Sequence, residues 1–306
     1  MSRNPEISLD TPTLGAAIVA VSEALDSAGV CFGHGTDNAW DEAVQLVLDV
    51  AGLSPDCEDG LSHQPLAEAQ LNHLERLLQR RIGERIPLPY LLGKACFAGL
   101  EFVCDERALV PRSPIAELIL NDFQPWYAGP APHRILDLCC GGGCIGLAVA
   151  HHLPESRVDL ADIDTAALDL ARENTALHQL ESRVRILQSD LFERLEQERY
   201  DIILCNPPYV DAQDLAGMPA EYRAEPSMGL GSGRDGLDVT RRILAQVGDF
   251  LQPHGLLLLE VGNSAAALEA AFPQVAFTWV ELVNGGHGVF AMTAQEWQDF
   301  GASWGL

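Results

Sequence analysis

From Thr11 onward the chain repeats its apolar residues at helical spacing. Leu14, Ile18, Val21 and Leu25 fall on one face, Thr11 can cap, Pro12 suits a first turn, and Gly29 ends the run. A second helix is expected from Asn38, which with Asp41 three residues on forms a capping arrangement; Val44, Val47 and Ala51 mark its apolar face before Gly52. After a polar loop to about Pro65, Leu71, Leu74, Leu78 and Ile82 predict a third helix, and Arg80-Arg81 at its end match the negative pole of the dipole. Three helices without a strand make a small domain of the kind that recognises a partner or packs on a catalytic neighbour. Pro87-Leu-Pro-Tyr90 and Gly93 break the helical pattern. Alternation from Phe97 to Val110 then predicts a hairpin turning near Asp105-Glu106, followed by Pro111-Arg-Ser-Pro114, a helix over Ile115–Phe123 and a linker at Gly129-Pro-Ala-Pro132.

Beyond His133 the period changes to strand, helix, strand, helix. Strands are expected at Arg134–Leu138, Arg157–Asp162, Val184–Gln188, Tyr200–Cys205 and Gly255–Val261, with helices over Gly146–His152, Thr165–Gln179 (capped by Asp164) and Leu237–Phe250. This alternation predicts a mostly parallel sheet with helices on both faces. Phe277–Leu282 and Gly288–Met292, joined by the turn signal Asn284-Gly-Gly-His287, add a late antiparallel edge. The expected divisions are residues 1–92 (helical), 93–132 (hairpin and linker helix) and 133–306 (alternating strands and helices).

Tyr200–Cys205 is a continuous buried-strand run that stops at Asn206-Pro-Pro-Tyr209, where two prolines without N–H groups end the ladder. Ligands of open α/β sheets bind at such carboxyl ends. Asn206, Pro207, Pro208 and Tyr209 therefore read either as a site or as a rigid loop. Directly after the first strand of the alternating region stands Asp137-Leu-Cys-Cys-Gly141-Gly-Gly143-Cys-Ile-Gly146. The Gly141, Gly143, Gly146 spacing alone fits a dinucleotide, a nucleoside-containing cofactor or tight packing. Asp137 favours a cationic ligand such as S-adenosylmethionine, because it would repel the pyrophosphate of a nicotinamide dinucleotide. Asp162, ending the next strand, can accept both hydroxyls of a ribose. Asp190, in Ser189-Asp-Leu-Phe192, is placed either to meet an adenine amino group or simply to face solvent.

Composition changes this picture in three respects. A net charge of −25, from 44 acidic against 19 basic residues, disfavours a polyanion as partner; it suits a basic protein, and it also suits plain solubility. No long apolar run or signal pattern appears, so a cytoplasmic location is expected, with no membrane partner. The eight cysteines contain no Cys-x-x-Cys pair and the nine histidines are scattered, which points to reduced thiols and no metal.

Asp137-x-x-x-Gly-x-Gly, Asp162, Asp190 and Asn206-Pro-Pro-Tyr209, in that order at consecutive strand ends, resemble the class I S-adenosylmethionine-dependent methyltransferases. With the helical domain in front, the chain is similar to the protein glutamine N5-methyltransferases, which modify peptide-chain release factors or ribosomal protein uL3. Gly33-His-Gly-Thr-Asp-Asn-Ala-Trp-Asp-Glu-Ala43, Val110-Pro-Arg-Ser-Pro114, Glu221-Tyr-Arg-Ala-Glu-Pro226 and Asn284-Gly-Gly-His-Gly-Val-Phe290 resemble the uL3 branch. Ser113-Pro114 stands where the release-factor branch carries a different pattern, and Cys140-Gly141-Gly142 replaces a hydroxyl residue common in relatives. The resemblance implies a Rossmann-like seven-stranded sheet with an antiparallel edge strand, after an all-helical domain and a hairpin. It also implies a cofactor pocket edged by Phe97 and the Pro111-Arg112 segment, and a glutamine amide held by Asn206-Pro-Pro-Tyr209. Two alternatives remain: a release factor as substrate, and methylation of an exocyclic amine on a nucleic acid, which the charge opposes.

Overall fold

A computed structural model describes residues 13–54, 61–195 and 198–301. Thr11 and Pro12 lie outside the described residues. The chain forms two compact units. One comprises the described residues up to Ala95 together with Pro219–Glu225, and the other runs from Cys96 to Met218 and from Pro226 onward.

The first unit is built on α1 (Leu14–Ala28), α2 (Ala39–Ala51), α3 (Glu68–Gly83) and the short α4 (Leu88–Leu92). Each boundary has a local cause. The Thr13 hydroxyl accepts the Ala16 N–H and opens α1, and the Asn38 side chain accepts the Asp41 N–H at 2.9 Å and opens α2. Gly29, Gly52 and Gly93 close α1, α2 and α4 in the left-handed conformation. Pro89 sits in the first turn of α4, where its missing N–H costs nothing, so the Pro87–Gly93 stretch is a short helix rather than only a break. Leu14, Ile18, Val21 and Leu25 are buried as their spacing predicts; on α2 the buried face turns toward Ala43, Leu46 and Val47.

Arg81 departs from the sequence reading. It is 1% exposed, and instead of serving the dipole of α3 it donates from Nε to Glu42 Oε1 at 2.6 Å, from Nη1 to Glu221 Oε1 at 3.3 Å and from Nη2 to the Cys31 carbonyl at 2.7 Å. Glu221 also accepts the Cys31 N–H at 2.9 Å. Burial alone would raise the Glu221 pKa, but that N–H and Arg81 hold it below the ordinary glutamate range. Nearby, the His34 ring packs at a tilt of 48° against Tyr222 with centroids 4.5 Å apart. The Gly33–Ala43 and Glu221–Pro226 stretches, remote in sequence, thus meet through residues of one unit.

A hairpin follows, of β1 (Lys94–Phe97), within which the second unit begins, and β2 (Leu100–Val103). Its turn is at Ala98-Gly99, both at positive φ (47° and 78°), and not at Asp105-Glu106. Two central residues at positive φ match the right-handed twist of the strands. Asp105 instead accepts the Arg107 N–H at 3.1 Å and its guanidinium at 2.8 Å, which shapes a separate loop.

After α5 (Ile115–Leu120) comes the alternating core: β3 (Arg134–Leu138), α6 (Cys144–His152), β4 (Arg157–Asp162), α7 (Thr165–Leu177), β5 (Val184–Gln188) and β6 (Tyr200–Cys205). The chain continues through α8 (Ala212–Gly217), α9 (Asp238–Gln246), β7 (Leu251–Glu260), α10 (Ala265–Ala271), β8 (Thr278–Trp279), β9 (Val289–Thr293) and α11 (Ala294–Asp299). The sheet has seven strands in the order β5-β4-β3-β6-β7-β9-β8. Pairing is parallel as far as β7, and β9 runs antiparallel to both β7 and β8. The late edge is therefore antiparallel as expected, although β8 is shorter than the apolar run Phe277–Leu282 suggested.

All six residues of β6 are buried, because helices cover both faces of the sheet. The strand order reverses between β3, which leads to β4 and β5 on one side, and β6 on the other. The carboxyl ends of β3 and β6, in register at Leu138↔Cys205, flank that reversal. In doubly wound sheets this is where a crevice opens. Among the described residues no helix is long and apolar enough to cross a membrane.

Candidate active site

The glycine loop joins β3 to α6. Cys140 N–H continues the ladder to the Ala161 carbonyl at 3.1 Å, and the chain then turns through Gly141 (φ 53°) and Gly143 (φ 82°) into the first turn of α6. The three glycines of the motif differ in their reasons. Gly141 and Gly143 supply left-handed backbone. Gly146 lies within α6, where an added Cβ would come within 2.3 Å of Leu160 and 2.9 Å of Asp137; it lets helix and strand pack closely.

Two carboxylates hold this loop. Asp162, at the end of β4, accepts the Gly141 N–H through Oδ2 at 2.8 Å and the Asp164 N–H through Oδ1 at 2.9 Å. Asp137, on β3, accepts the Gly146 N–H through Oδ2 at 2.8 Å. Its other oxygen, Oδ1, is buried without a hydrogen-bond partner. Burial pushes the Asp137 pKa up to about 7, against the Gly146 N–H, which lowers it, and with the Asp162 charge adding to the rise. Burial likewise raises Asp162, opposed by the N–H groups of Asp164 and Gly141. Two carboxylates made costly by burial, one with an unsatisfied oxygen, make the glycine loop suited to a cation and hostile to phosphate.

Sequence reasoning missed Asn174. Buried on α7, it accepts the Val103 N–H at 2.8 Å and donates to the Val103 carbonyl at 3.2 Å and the Gly142 carbonyl at 3.0 Å. One side-chain amide thereby ties the end of β2 to the glycine loop. Ala108 packs over the same loop, 3.7 Å from where a Cβ on Gly141 would lie. A buried Asn in an otherwise apolar helical face was the available signal.

The remaining cofactor candidates are placed as follows. Asp190 follows β5, is partly exposed and pairs with Arg242 at 2.9 Å. Phe97 is 5% exposed and packs in the core with Phe102, Ile115 and Ile145. Arg112 donates to the Val110 carbonyl at 3.4 Å and lies close enough to Glu260 to favour its charged form. The seven cysteines among the described residues are free thiols, and burial pushes Cys140 and Cys205, which flank the loop and the β6 end, well above the ordinary thiol range.

Asn206, Pro207, Pro208 and Tyr209 leave β6 at the reversal point. Pro207 is buried and Asn206 half-buried. The loop is pinned immediately afterwards, since Val210 N–H donates to the Leu230 carbonyl at 2.9 Å and Ser232 N–H to the Val210 carbonyl at 2.9 Å. The Tyr209 hydroxyl donates to Glu260 Oε1 at 3.0 Å, and the Tyr209 carbonyl accepts the Ser264 hydroxyl at 2.7 Å. Glu260, at the end of β7, was not singled out by the sequence, although a carboxylate closing the apolar run Leu256–Leu259 at the edge where Asp162 ends its own strand was a readable sign.

Comparison with known proteins gives three findings. A family model described as a methyltransferase small domain matches residues 116–221. The ribosomal protein uL3 glutamine methyltransferase of Francisella tularensis subsp. tularensis is 44% identical over 268 residues, covering 87% of this chain and 85% of that protein. Its namesake from Neisseria gonorrhoeae is 43% identical over 272 residues, covering 89% and 91% respectively. Among solved structures, the hMettl16 catalytic domain in complex with MAT2A 3'UTR hairpin 6 matches with a TM-score of 0.51 over 79% of this chain and 89% of that one; at 17% identity this is a likeness of fold.

Proposed function

Since this chain belongs to the family of ribosomal protein uL3 glutamine methyltransferases, we propose that it transfers a methyl group from S-adenosylmethionine to the side-chain amide nitrogen of a glutamine in uL3. The observation that carries the chemistry is the adjacency of β3 and β6: an acidic glycine loop and Asn206-Pro-Pro-Tyr209 leave neighbouring strand ends in register.

The residues present fit the cofactor. The buried Asp137 Oδ1 has no partner and the charge that raises its pKa further, Asp162, is also negative, while the cofactor carries an ammonium and a sulfonium. Asp137, Gly141, Gly143 and Gly146 would hold its amino-acid end, Asp162 its ribose and Asp190 its adenine, with Phe97 and Arg112 at the pocket edge. When bound, the cofactor supplies an electrophilic methyl group on a good leaving group.

This chain's residues act on the glutamine. Its amide nitrogen is a poor nucleophile because the lone pair is delocalised into the carbonyl. Asn206 Oδ1 and the Pro207 carbonyl each accept one N–H, which fixes the amide with its π face forward and stabilises positive charge developing on nitrogen. The Tyr209 ring packs against the planar amide. A basic ribosomal protein also suits the acidic surface implied by the net charge of −25. Mass spectrometry of purified uL3 and of release factors after incubation with enzyme and S-adenosylmethionine is the test: uL3 gains 1 methyl, on a glutamine, in ~1:1 stoichiometry. Methylation of release factors alone would overturn the substrate assignment.

Affinity for S-adenosylmethionine is expected to depend on pH. Asp137 has a raised pKa of about 7, so the cofactor-free protein favours its neutral form at acid pH, and the stability linked to that proton is lost as pH rises through about 7. A cation beside Oδ1 selects the carboxylate. Binding therefore releases a proton below that pH, and the association constant climbs about tenfold per pH unit up to neutrality, then levels off. Calorimetric titrations at several pH values, repeated in buffers of different ionisation enthalpy, read both effects; a flat profile in Asp137→Asn confirms the origin.

A further inference from the structure

The tyrosine that ends Asn206-Pro-Pro-Tyr209 is held by one packing contact and two hydrogen bonds. An added Cβ on Gly262 would stand 2.5 Å from the Tyr209 ring, so only glycine lets the ring lie flat there. The Ser264 hydroxyl holds the Tyr209 carbonyl at 2.7 Å. The phenol makes the second hydrogen bond, donating to Glu260 Oε1 at 3.0 Å.

Glu260 is an expensive choice for that task. It is 4% exposed, and one step beyond the register pair Cys205↔Leu259 it stands level with Asn206. Its second oxygen accepts the Ser113 hydroxyl at 2.6 Å, and Ser113 Oγ in turn accepts the Ile115 N–H at 3.3 Å at the start of α5. Burial raises the Glu260 pKa, against the hydrogen bonds from Ser113 and Tyr209 and the Arg112 charge. A neutral side chain of the same shape would satisfy one hydroxyl more cheaply. A carboxylate offers two equivalent acceptors and no donor, so each hydroxyl must point at it. Its geometry thus dictates the rotamer of both Ser113 and Tyr209.

We propose that Glu260 is a positioning residue for methyl transfer: its carboxylate, braced by Ser113, fixes the plane of the Tyr209 ring against which the substrate amide lies. The inference rests on the reading of Asn206-Pro-Pro-Tyr209 as the amide clamp. It adds Ser113, in Pro111-Arg-Ser-Pro114, as the residue that ties that segment to the clamp through one carboxylate.

The test is a kinetic double-mutant cycle with purified uL3 and S-adenosylmethionine, using Glu260→Gln, Tyr209→Phe and the pair. Glu260→Gln keeps the shape and removes a buried charge, so its melting temperature stays level or rises. It lowers kcat by about 10-fold to 100-fold through misplacement of the amide, with KM for uL3 and the cofactor dissociation constant each within about twofold of wild type. Tyr209→Phe gives a similar loss, and the double variant is no worse than the more damaged single one, because both act through one ring. Unchanged kcat in Glu260→Gln overturns the proposal, as do losses that multiply in the double variant. Should Glu260→Gln fail to fold, Tyr209→Phe decides alone: kcat must fall with KM held, and wild-type turnover overturns the proposal. Asn206→Ala separates the two levels of inference. If it remains active, the amide clamp itself is wrong; if it is inactive while Glu260→Gln turns over normally, only the role of Glu260 is lost.

Discussion

Asn206→Ala lowers turnover of uL3 by about 10²-fold to 10³-fold or more, the scale set by removing a single preorganised partner of developing charge. S-adenosylmethionine binding stays within about twofold of wild type. The separation follows from the topology. The carboxylates proposed for the cofactor stand on β3, on β4 and just after β5, whereas Asn206 leaves β6, so the substitution removes one acceptor for the substrate amide and leaves those carboxylates alone. The backbone is indifferent to the change, because Pro207, Pro208 and the Val210 and Ser232 hydrogen bonds set the loop's course. Calorimetry with cofactor and a methyl-incorporation assay with uL3 measure the two quantities on the same preparation. Retention of more than about a tenth of the turnover would show that Asn206 does not hold the reacting amide, and the clamp reading would fall.

Arg81→Leu destabilises the helical unit by about 3–5 kcal/mol, as expected when one partner of a buried ionic cluster is removed. Glu42, 3% exposed, then loses its guanidinium, Glu221, 2% exposed, keeps only the half-buried Arg85 at 3.4 Å as a charged partner, and the Cys31 carbonyl loses its 2.7 Å donor. For a unit of fewer than ~110 residues, a loss of this size lowers the melting temperature by well over 10 °C. Scanning calorimetry resolves it, and cofactor titration shows whether the second unit keeps its binding. The control replaces all three charged residues by apolar ones of similar volume. That triple variant recovers much of the loss, since it is the uncompensated charge and not the missing bridge that destabilises. A triple variant as unstable as Arg81→Leu would point to packing of the long side chain as the main contribution.

The parallel core was legible because each strand is a short run of apolar residues between turn signals, and burial on both faces leaves no other reading. Tyr200–Cys205 needed no periodicity to be recognised. What misled was chemistry that looked local and proved distant. Asp105-Glu106 has the composition of a turn, yet Ala98-Gly99 makes it, because Asp105 is engaged with Arg107. Arg81 sits where a basic residue serves a helix end, yet it is buried by a carboxylate 140 residues away, and no helical pattern announces such a return. In the site, the glycine loop and the Asn206 stretch were readable because their spacing is dictated by backbone geometry and ring chemistry. Asn174 and Glu260 escaped because a single polar residue at the rim of an apolar element is defined by what the fold brings to it. Asp190 was read either for a ligand or for solvent, and its partnership with Arg242 could not be foreseen from the Ser189-Asp-Leu-Phe192 stretch.

The excursion of Pro219–Glu225 has a consequence for how such a protein can arise and change. Since these seven residues complete the ionic cluster of the helical unit while lying between two stretches of the catalytic one, neither unit is encoded by one continuous segment of the gene. A recombination event that grafted only the leading helices onto another catalytic domain would deliver Arg81 without Glu221. The helical unit is thus inherited together with the loop that follows Asn206-Pro-Pro-Tyr209, and the two can be exchanged only as a pair.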